Sequence, residues 1–563
     1  MTAQESFKIA SNDYADLIID YNYNTELLEN YPNASYNIIN RQYAVLYIPA
    51  SEMTYNAVYK YGYAAIPKCY GLMYSSTTEP VNNYYIHSLP VYDYTGEGVL
   101  IGFVDNGIDY RNKAFTYPDN TTRIVAIWDQ SIESTDGYPA GFYYGTEYSR
   151  ERINLALQSA EPLSIVPSVE TTGQGTALAG IAAGNYGDEY GFTGTAPDTE
   201  LVVVKLKQAK PYLKEFFGIG QEELCYQEND IMLGIKYLLQ VAGSLKRPIV
   251  ICLGLGSSQG SHTGEDFISR YISYIGELPG VAVIIGAGDE GNRRGHYYGE
   301  ISSPNHFHTV ELNVGMEREN FSMELWGYPP IILAVDIYAP SGELVYHIPR
   351  VYTEQNTTQV VYRDTTIYID NRVQEPFAGS QLILFRFKNT VEGIWNFRIS
   401  GSYDLQNRFH IWLPIYQFIS ENTYFLNPDP NTTISVPGNT VNLITVTAYN
   451  PVDRELYYYA SRGFTKTGEP KPDITAPGVN IAAPTGDSQS AYFTGTSLAA
   501  AYTAGVAARL MEWGVVKGNL TNMDCTFVRY ILTSSAGRDS SLDYPNPDWG
   551  FGILEENIFR NIL

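Results

Sequence analysis

VLIGFVDNGID, residues 99–109, runs without a polar side chain from Val99 to Val104 and then meets Asp105. A continuous apolar run of that length, with no alternation, suits a strand buried on both faces of a parallel sheet. Three more runs share the pattern: ELVVVKLK (200–207), RPIVICLGLG (247–256) and GVAVIIGAG (280–288). Helical or glycine-rich segments separate them, and NDIMLGIKYLLQVAG (229–243) has the clearest amphipathic period. Strands alternating with helices predict an α/β fold with a doubly wound parallel sheet.

The texture differs on either side of this region. Residues 1–78 read as a small α/β unit. Within it, QYAVLYIP (42–49) predicts a strand, and SEMTYNAVYKYG (51–62) predicts a short helix with a serine N-cap. From Phe307 the runs become short and β-like, as in HTVELNV (308–314), FSMELWGY (321–328), QLILFRFKN (381–389) and GIWNFRIS (393–400). No long helical pattern interrupts them, which predicts an all-β sandwich over residues 307–439. The α/β texture returns with VNLITVTAY (441–449) and the small-residue helix TSLAAAYTAGVAARLMEWG (496–514). The expected order is therefore an N-terminal unit (1–78), a core (79–306), an inserted β unit (307–439) and the rest of the core (440–563).

Composition narrows the function. The chain has 563 residues, 44% hydrophobic and 17% charged, enough to bury a large core. Its formal net charge of −25 argues against nucleic acid and anionic membrane surfaces as partners. No apolar run approaches the roughly 20 residues of a membrane span, and the first residues lack the basic and apolar regions of a signal peptide. The four cysteines, Cys69, Cys225, Cys252 and Cys525, are scattered and contain no CxxC pair, so neither a structural zinc site nor a disulfide framework is expected. No D-x-D-x-D-G loop is present.

Several motifs, in order along the chain, resemble the subtilisin-like serine proteases (subtilases). VLIGFVDNGID resembles the aspartate motif of that family, and GFTGTAPDTELVVVKLK (191–207) its G-x-A-P strand. ETTGQGTALAGIAAGN (170–185) resembles the helix that carries the catalytic histidine, GAGDEG (286–291) the oxyanion-hole loop, and KPDITAPGVNI (471–481) with GTSLAAAYTAG (495–505) the approach to the nucleophile. The N-terminal unit, the GSSQGSHTG loop (256–264) and the β insert resemble the clostridial Csp proteases, subtilases of spore germination with an N-terminal prodomain and a jelly-roll insert. The resemblance implies that Asp105 is the triad acid and Ser497 the nucleophile. It also implies that the prodomain tail, KCYGLMYS near Lys68–Ser76, lies in the cleft. Calcium is common in the family, but no ligand is expected from the residues. Other Csp proteases or a spore cortex hydrolase would be the partners, and the bacterial spore the location.

Two positions depart from the family pattern. Gln174 stands where the histidine is expected, and Asp289 where the oxyanion asparagine is expected. A serine hydroxyl is a poor nucleophile until a base takes its proton, and an amide has no useful basicity. Gln174 retains hydrogen-bonding capacity: it is expected to donate to Asp105 and accept from Ser497. An ionised Asp289 would repel a developing oxyanion. Each residue also has a plain structural reading: Asp105 and Asp289 as caps of loop N–H groups, Ser497 as a helix N-cap. Among the seven histidines, His87, His262, His296, His306, His308, His347 and His410, none is expected to replace the base. His262 is expected in a structural loop beside the cleft and His296 on the surface. The resulting expectation is a pseudoprotease with a degenerate triad of Asp105, Gln174 and Ser497, the alternative being a weak serine endopeptidase.

Overall fold

A computed structural model of the chain describes residues 5–31, 34–77, 94–134, 137–185, 193–301, 307–316, 318–353, 356–401, 407–486 and 490–555. His87 and His306 lie outside the described residues.

The apolar runs form an eight-stranded sheet. Its strands lie in the order Ile474–Pro477, Ile444–Tyr449, Val281–Gly286, Ile249–Leu253, Leu100–Asp105, Glu200–Lys205, Ile124–Asp129 and Thr146–Ser149. All neighbours are parallel except the last pair, where Thr146–Ser149 runs antiparallel at the edge. From Leu100–Asp105 the chain builds outward first to one side and then, from Ile249, to the other. The sheet is therefore doubly wound, with its switch point between those two strands.

Both faces are covered. Ile101 and Phe103 pack with the alanine-rich helices Gln174–Ala183 and Thr496–Met511. Leu100 and Val104 pack with the helices Glu228–Leu245 and Phe267–Gly276. Two-sided burial is why the strand sequences show no alternation. The two alanine-rich helices approach closely: a Cβ on Gly505 would stand 2.7 Å from the carbonyl oxygen of Ala182.

The β unit is two antiparallel sheets of six and five strands. Phe321, Phe385, Trp395, Phe397 and Phe409 fill the space between them. Its six-stranded sheet begins with His296–Ile301, upstream of the expected start at residue 307. That strand is weakly patterned because its central Gly299 lies directly against the Phe409 ring. At the other end, Val436 already bridges to Ser257 of the core, so the return to the α/β layer precedes residue 440.

In the N-terminal unit the strands Tyr14–Asp20, Tyr43–Pro49 and Ser35–Ile38 form an antiparallel sheet with Tyr43–Pro49 in the centre. The expected helix over 51–62 is shorter. A 3-10 turn covers Ala50–Glu52 and the helix covers Ala57–Tyr61. Ser51 caps nothing. Asn56, at the true start, accepts on its side-chain oxygen from Thr357 N–H of the β unit. No helix among the described residues is long and apolar enough to cross a membrane.

Candidate active site

Asp105 and Gly254 follow or end neighbouring parallel strands, so the register of the sheet sets them side by side at its carboxyl edge. Gln174 opens the helix that packs on that edge. Its Nε2 donates to Asp105 Oδ2 and to the carbonyl oxygen of Gly254, both at 3.0 Å. Gly254 has no room for a side chain: a Cβ there would lie 2.3 Å from Asp105 Oδ2 and 2.6 Å from Gln174 Nε2. The Glu170 carboxylate holds the start of this helix by accepting from Thr172 N, Gly173 N and Thr176 Oγ1. An acid at the positive end of a helix is favoured electrostatically. Asn106 braces the same turn, accepting from Gly175 N at 3.1 Å.

Asp105 is fully enclosed. Burial pushes its carboxyl up to about 7, while the donors Asn106 N–H and Gln174 Nε2 oppose the shift. The neutral Gln174 amide offsets only part of that burial cost, since a hydrogen bond without a positive charge stabilises the carboxylate less than a cation would.

Ser497 is the second residue of the helix Thr496–Met511 and is buried. Its Oγ donates to the main-chain carbonyl oxygen of Met73 at 2.7 Å. The expected bridge from Ser497 to Gln174 is not formed. A hydroxyl has one proton to give, Met73 receives it, and Gln174 Oε1 is buried without a partner.

Asp289 lies in the loop after strand Val281–Gly286. Its Oδ1 accepts from Thr496 N at 3.1 Å and Thr496 Oγ1 at 3.0 Å, so it ties that loop to the helix bearing Ser497. Its Oδ2 is buried without a partner. Burial pushes its carboxyl up to about 6 against those two donors. Ionised above that pH, it is an acceptor beside the start of the helix that bears Ser497.

The segment that crosses Ser497 belongs to the N-terminal part of the chain. Cys69–Leu72 is an antiparallel strand inserted between Tyr226–Gln227 and Leu255–Gly256. Met73 N donates to Gly254 O at 3.1 Å. Ser75–Thr77 then pairs antiparallel with Ser490–Thr494. Side chains clamp what the strands leave free: Gln417 Nε2 donates to Leu72 O and Tyr416 Oη to Tyr74 O. Gln259 Oε1 accepts from Cys69 N at 2.7 Å. Gln417, Tyr416 and Gln259 carry no local sequence signal of this role. Glu170 had one, an acid just before a helix start.

The histidines sit elsewhere. His262 is buried in its loop, bonded to Ile434 O and Ser258 O and stacked on Trp412 at 4.1 Å. His296 is buried too, not on the surface as expected. It starts a strand of the β unit, stacks on Trp412 and bonds to His410 Nδ1 at 2.9 Å. Burial lowers the pKa of both rings, and at His262 the two carbonyl oxygens oppose that shift. Among the described residues no group of three or more His, Cys, Asp or Glu could hold a metal ion.

Comparison with known proteins agrees with this architecture. The subtilase family model (peptidase S8) matches residues 422–553, the stretch that contains Ser497. The subtilisin-like protease SBT2.1 of Arabidopsis thaliana is 31% identical over 107 residues, which are 17% of this chain and only 12% of that relative. The structure of the CspB protease of Clostridium perfringens superposes with a TM-score of 0.75 at 27% identity, covering 84% of this chain and 96% of that one. Residues 422–553 match the subtilase family model, and the chain shares the fold of the CspB protease.

Proposed function

We propose that the chain is a catalytically inactive subtilase, a pseudoprotease that acts as a regulatory or signalling protein in bacterial spore germination. The observation that carries the reading is the hydrogen-bond set of Gln174. Its amide is committed to Asp105 and Gly254, and nothing at that position takes the Ser497 proton. Without a base the hydroxyl remains a weak nucleophile. Asp289 adds a second, independent obstacle at the oxyanion position. The germination setting rests on the resemblance to the clostridial Csp proteases, on which other Csp proteases or a cortex hydrolase would be the partners. On this reading residues 1–78 act as a retained prodomain whose tail fills the cleft.

One observation favours a weak endopeptidase instead: the Met73 carbonyl rests on Ser497 as a bound substrate would. Treatment of the purified protein with a fluorophosphonate probe separates the two. The pseudoprotease reading expects no adduct on Ser497 by intact mass. A stoichiometric adduct, lost in Ser497→Ala, would establish the endopeptidase.

A further inference from the structure

Beyond Asp289 the chain turns through Glu290, Asn292, Arg293 and Arg294 before entering the β unit. This turn and the segment 413–423 enclose a cavity of about 460 Å³. Two guanidinium groups line it. Arg293 lies between two tyrosine rings, 4.1 Å from the centroid of Tyr416 and 3.6 Å from that of Tyr459. Arg294 lies 3.4 Å from the centroid of Tyr424. Neither side chain has a hydrogen bond or ion pair among the described residues, and Arg293 Nε is buried without a partner.

This is an unusual state for two adjacent arginines. A guanidinium held between aromatic faces has its plane fixed and its edge N–H groups presented outward, the geometry that accepts a carboxylate. The acids nearby do not supply that partner. Burial pushes Glu290 up to about 8, and its oxygens accept from Tyr416 N. Asp289 feels the Arg293 charge but accepts its hydrogen bonds from Thr496. Glu421 is exposed at the rim. The remaining walls combine apolar surface from Leu413, Pro414, Ile419 and the tyrosine rings with the polar side chains of Asn292, Ser420 and Thr423.

We propose that this cavity is a binding site for a small organic anion with one carboxylate and an apolar body, the carboxylate pairing with Arg293 and Arg294. Tyr416 links the site to the cleft. Its ring is a wall under Arg293, its N–H is held by Glu290, and its hydroxyl donates to Tyr74 O of the segment crossing Ser497 at 3.1 Å. A ligand that fixes Arg293 fixes that wall and thereby tightens the clamp on the segment. The inference is independent of whether Ser497 is reactive.

Benzoate tests it on the full-length chain, with benzamide as the uncharged isostere and inorganic phosphate as a competing anion. Ligand-observed NMR should show saturable benzoate binding, no benzamide binding and no displacement of benzoate by equimolar phosphate. Arg293→Gln should weaken benzoate by at least about tenfold, the loss expected for a charge-assisted pair. Arg294→Gln, which rests on the single ring of Tyr424, serves if the first variant does not fold. Amide hydrogen exchange over residues 71–75 should slow when benzoate is bound. Equal binding of benzamide, equal competition by phosphate, or undiminished benzoate binding in both arginine variants overturns the site. Unchanged exchange at residues 71–75 overturns the link through Tyr416.

Discussion

The Ser497 hydroxyl stands 2.7 Å from the carbonyl oxygen of Met73 and donates its proton there. In the same arrangement Met73 N donates to Gly254, whose carbonyl also receives Gln174. The peptide bond after Met73 is thus the one presented to Ser497. This register makes the chain its own test substrate.

Restoring a base alone should not restore useful cleavage. Gln174→His supplies a group with a pKa near neutrality beside Asp105. Asp289 still faces the developing charge, and one carboxylate about 4 Å from an oxyanion costs about 4 kcal/mol at an effective dielectric of ~20. Losing the missing donor costs a further ~10² to 10³ in turnover. The double variant Gln174→His/Asp289→Asn should therefore self-cleave at least about a hundredfold faster than Gln174→His, and at Met73–Tyr74. Time-resolved intact mass reads both rate and position. Efficient cleavage by the single variant would falsify the role given to Asp289.

Asp289 should also set a pH dependence of stability. Its carboxyl is raised from 3.8 to about 6 in the folded chain. A raised folded value means that its contribution is complete below about 3.8 and is lost as pH rises through about 6. Two units correspond to about 3 kcal/mol. Asn at this position keeps the acceptor for Thr496 and cannot ionise. Relative to wild type, Asp289→Asn should gain roughly 2–3 kcal/mol between pH 4 and pH 7.5. Denaturant unfolding of both proteins at the two pH values measures this. A difference that does not vary with pH excludes the assignment.

The sheet was legible in the sequence because burial on both faces leaves short unbroken apolar runs such as Val99–Val104, repeated between helical segments. The start of the β unit was not, because Gly299 interrupts the pattern of its first strand for the sake of the Phe409 ring. His296 was misplaced for a related reason. Its neighbours in NRRGHYY are polar, but Trp412 and His410, more than a hundred residues away, enclose it. Motif spacing singled out Asp105, Gln174, Ser497 and Asp289, and the fold brings Asp105 beside Gln174 and Asp289 beside the helix of Ser497. Their hydrogen-bond partners were not: Met73, Gly254 and Thr496 are chosen by tertiary geometry, and main-chain acceptors leave no mark in a sequence.

The N-terminal unit is held by a buried ion pair that should be costly to break singly. Lys210 Nζ lies 2.6 Å from Asp16 Oδ1, and Gln227 and Asn229 donate to Asp16 Oδ2. Both charged side chains are almost completely enclosed. Removing one partner strands the other charge, at about 3–5 kcal/mol, whereas removing both is much milder. Asp16→Ala should therefore loosen residues 5–77 toward proteolysis far more than Asp16→Leu/Lys210→Met. Limited trypsin digestion followed by mass spectrometry compares them. Equal sensitivity of the single and double variants would show that the pair does not anchor the unit.

The last prediction concerns the covalent state of the chain. On the pseudoprotease reading, hydrolysis at Met73 lacks both a proton acceptor beside Ser497 and a donor at position 289. The junction should stay intact. The segment 69–77 then competes for the cleft as part of the same molecule, at an effective concentration on the order of millimolar. It is also hydrogen-bonded by strands on both sides and clamped by Gln417 and Tyr416. An added peptide cannot match both advantages, so partners must meet the chain on another surface. Purified protein should therefore show a single species of 62.9 kDa after prolonged incubation. Ser497→Ala should change neither that mass nor the binding of any partner. Its only cost is the hydrogen bond to Met73, about 1 kcal/mol in unfolding free energy. Spontaneous cleavage after Met73 that disappears in Ser497→Ala would transfer the chain to the enzymes, with Gln174 tolerated in place of a base.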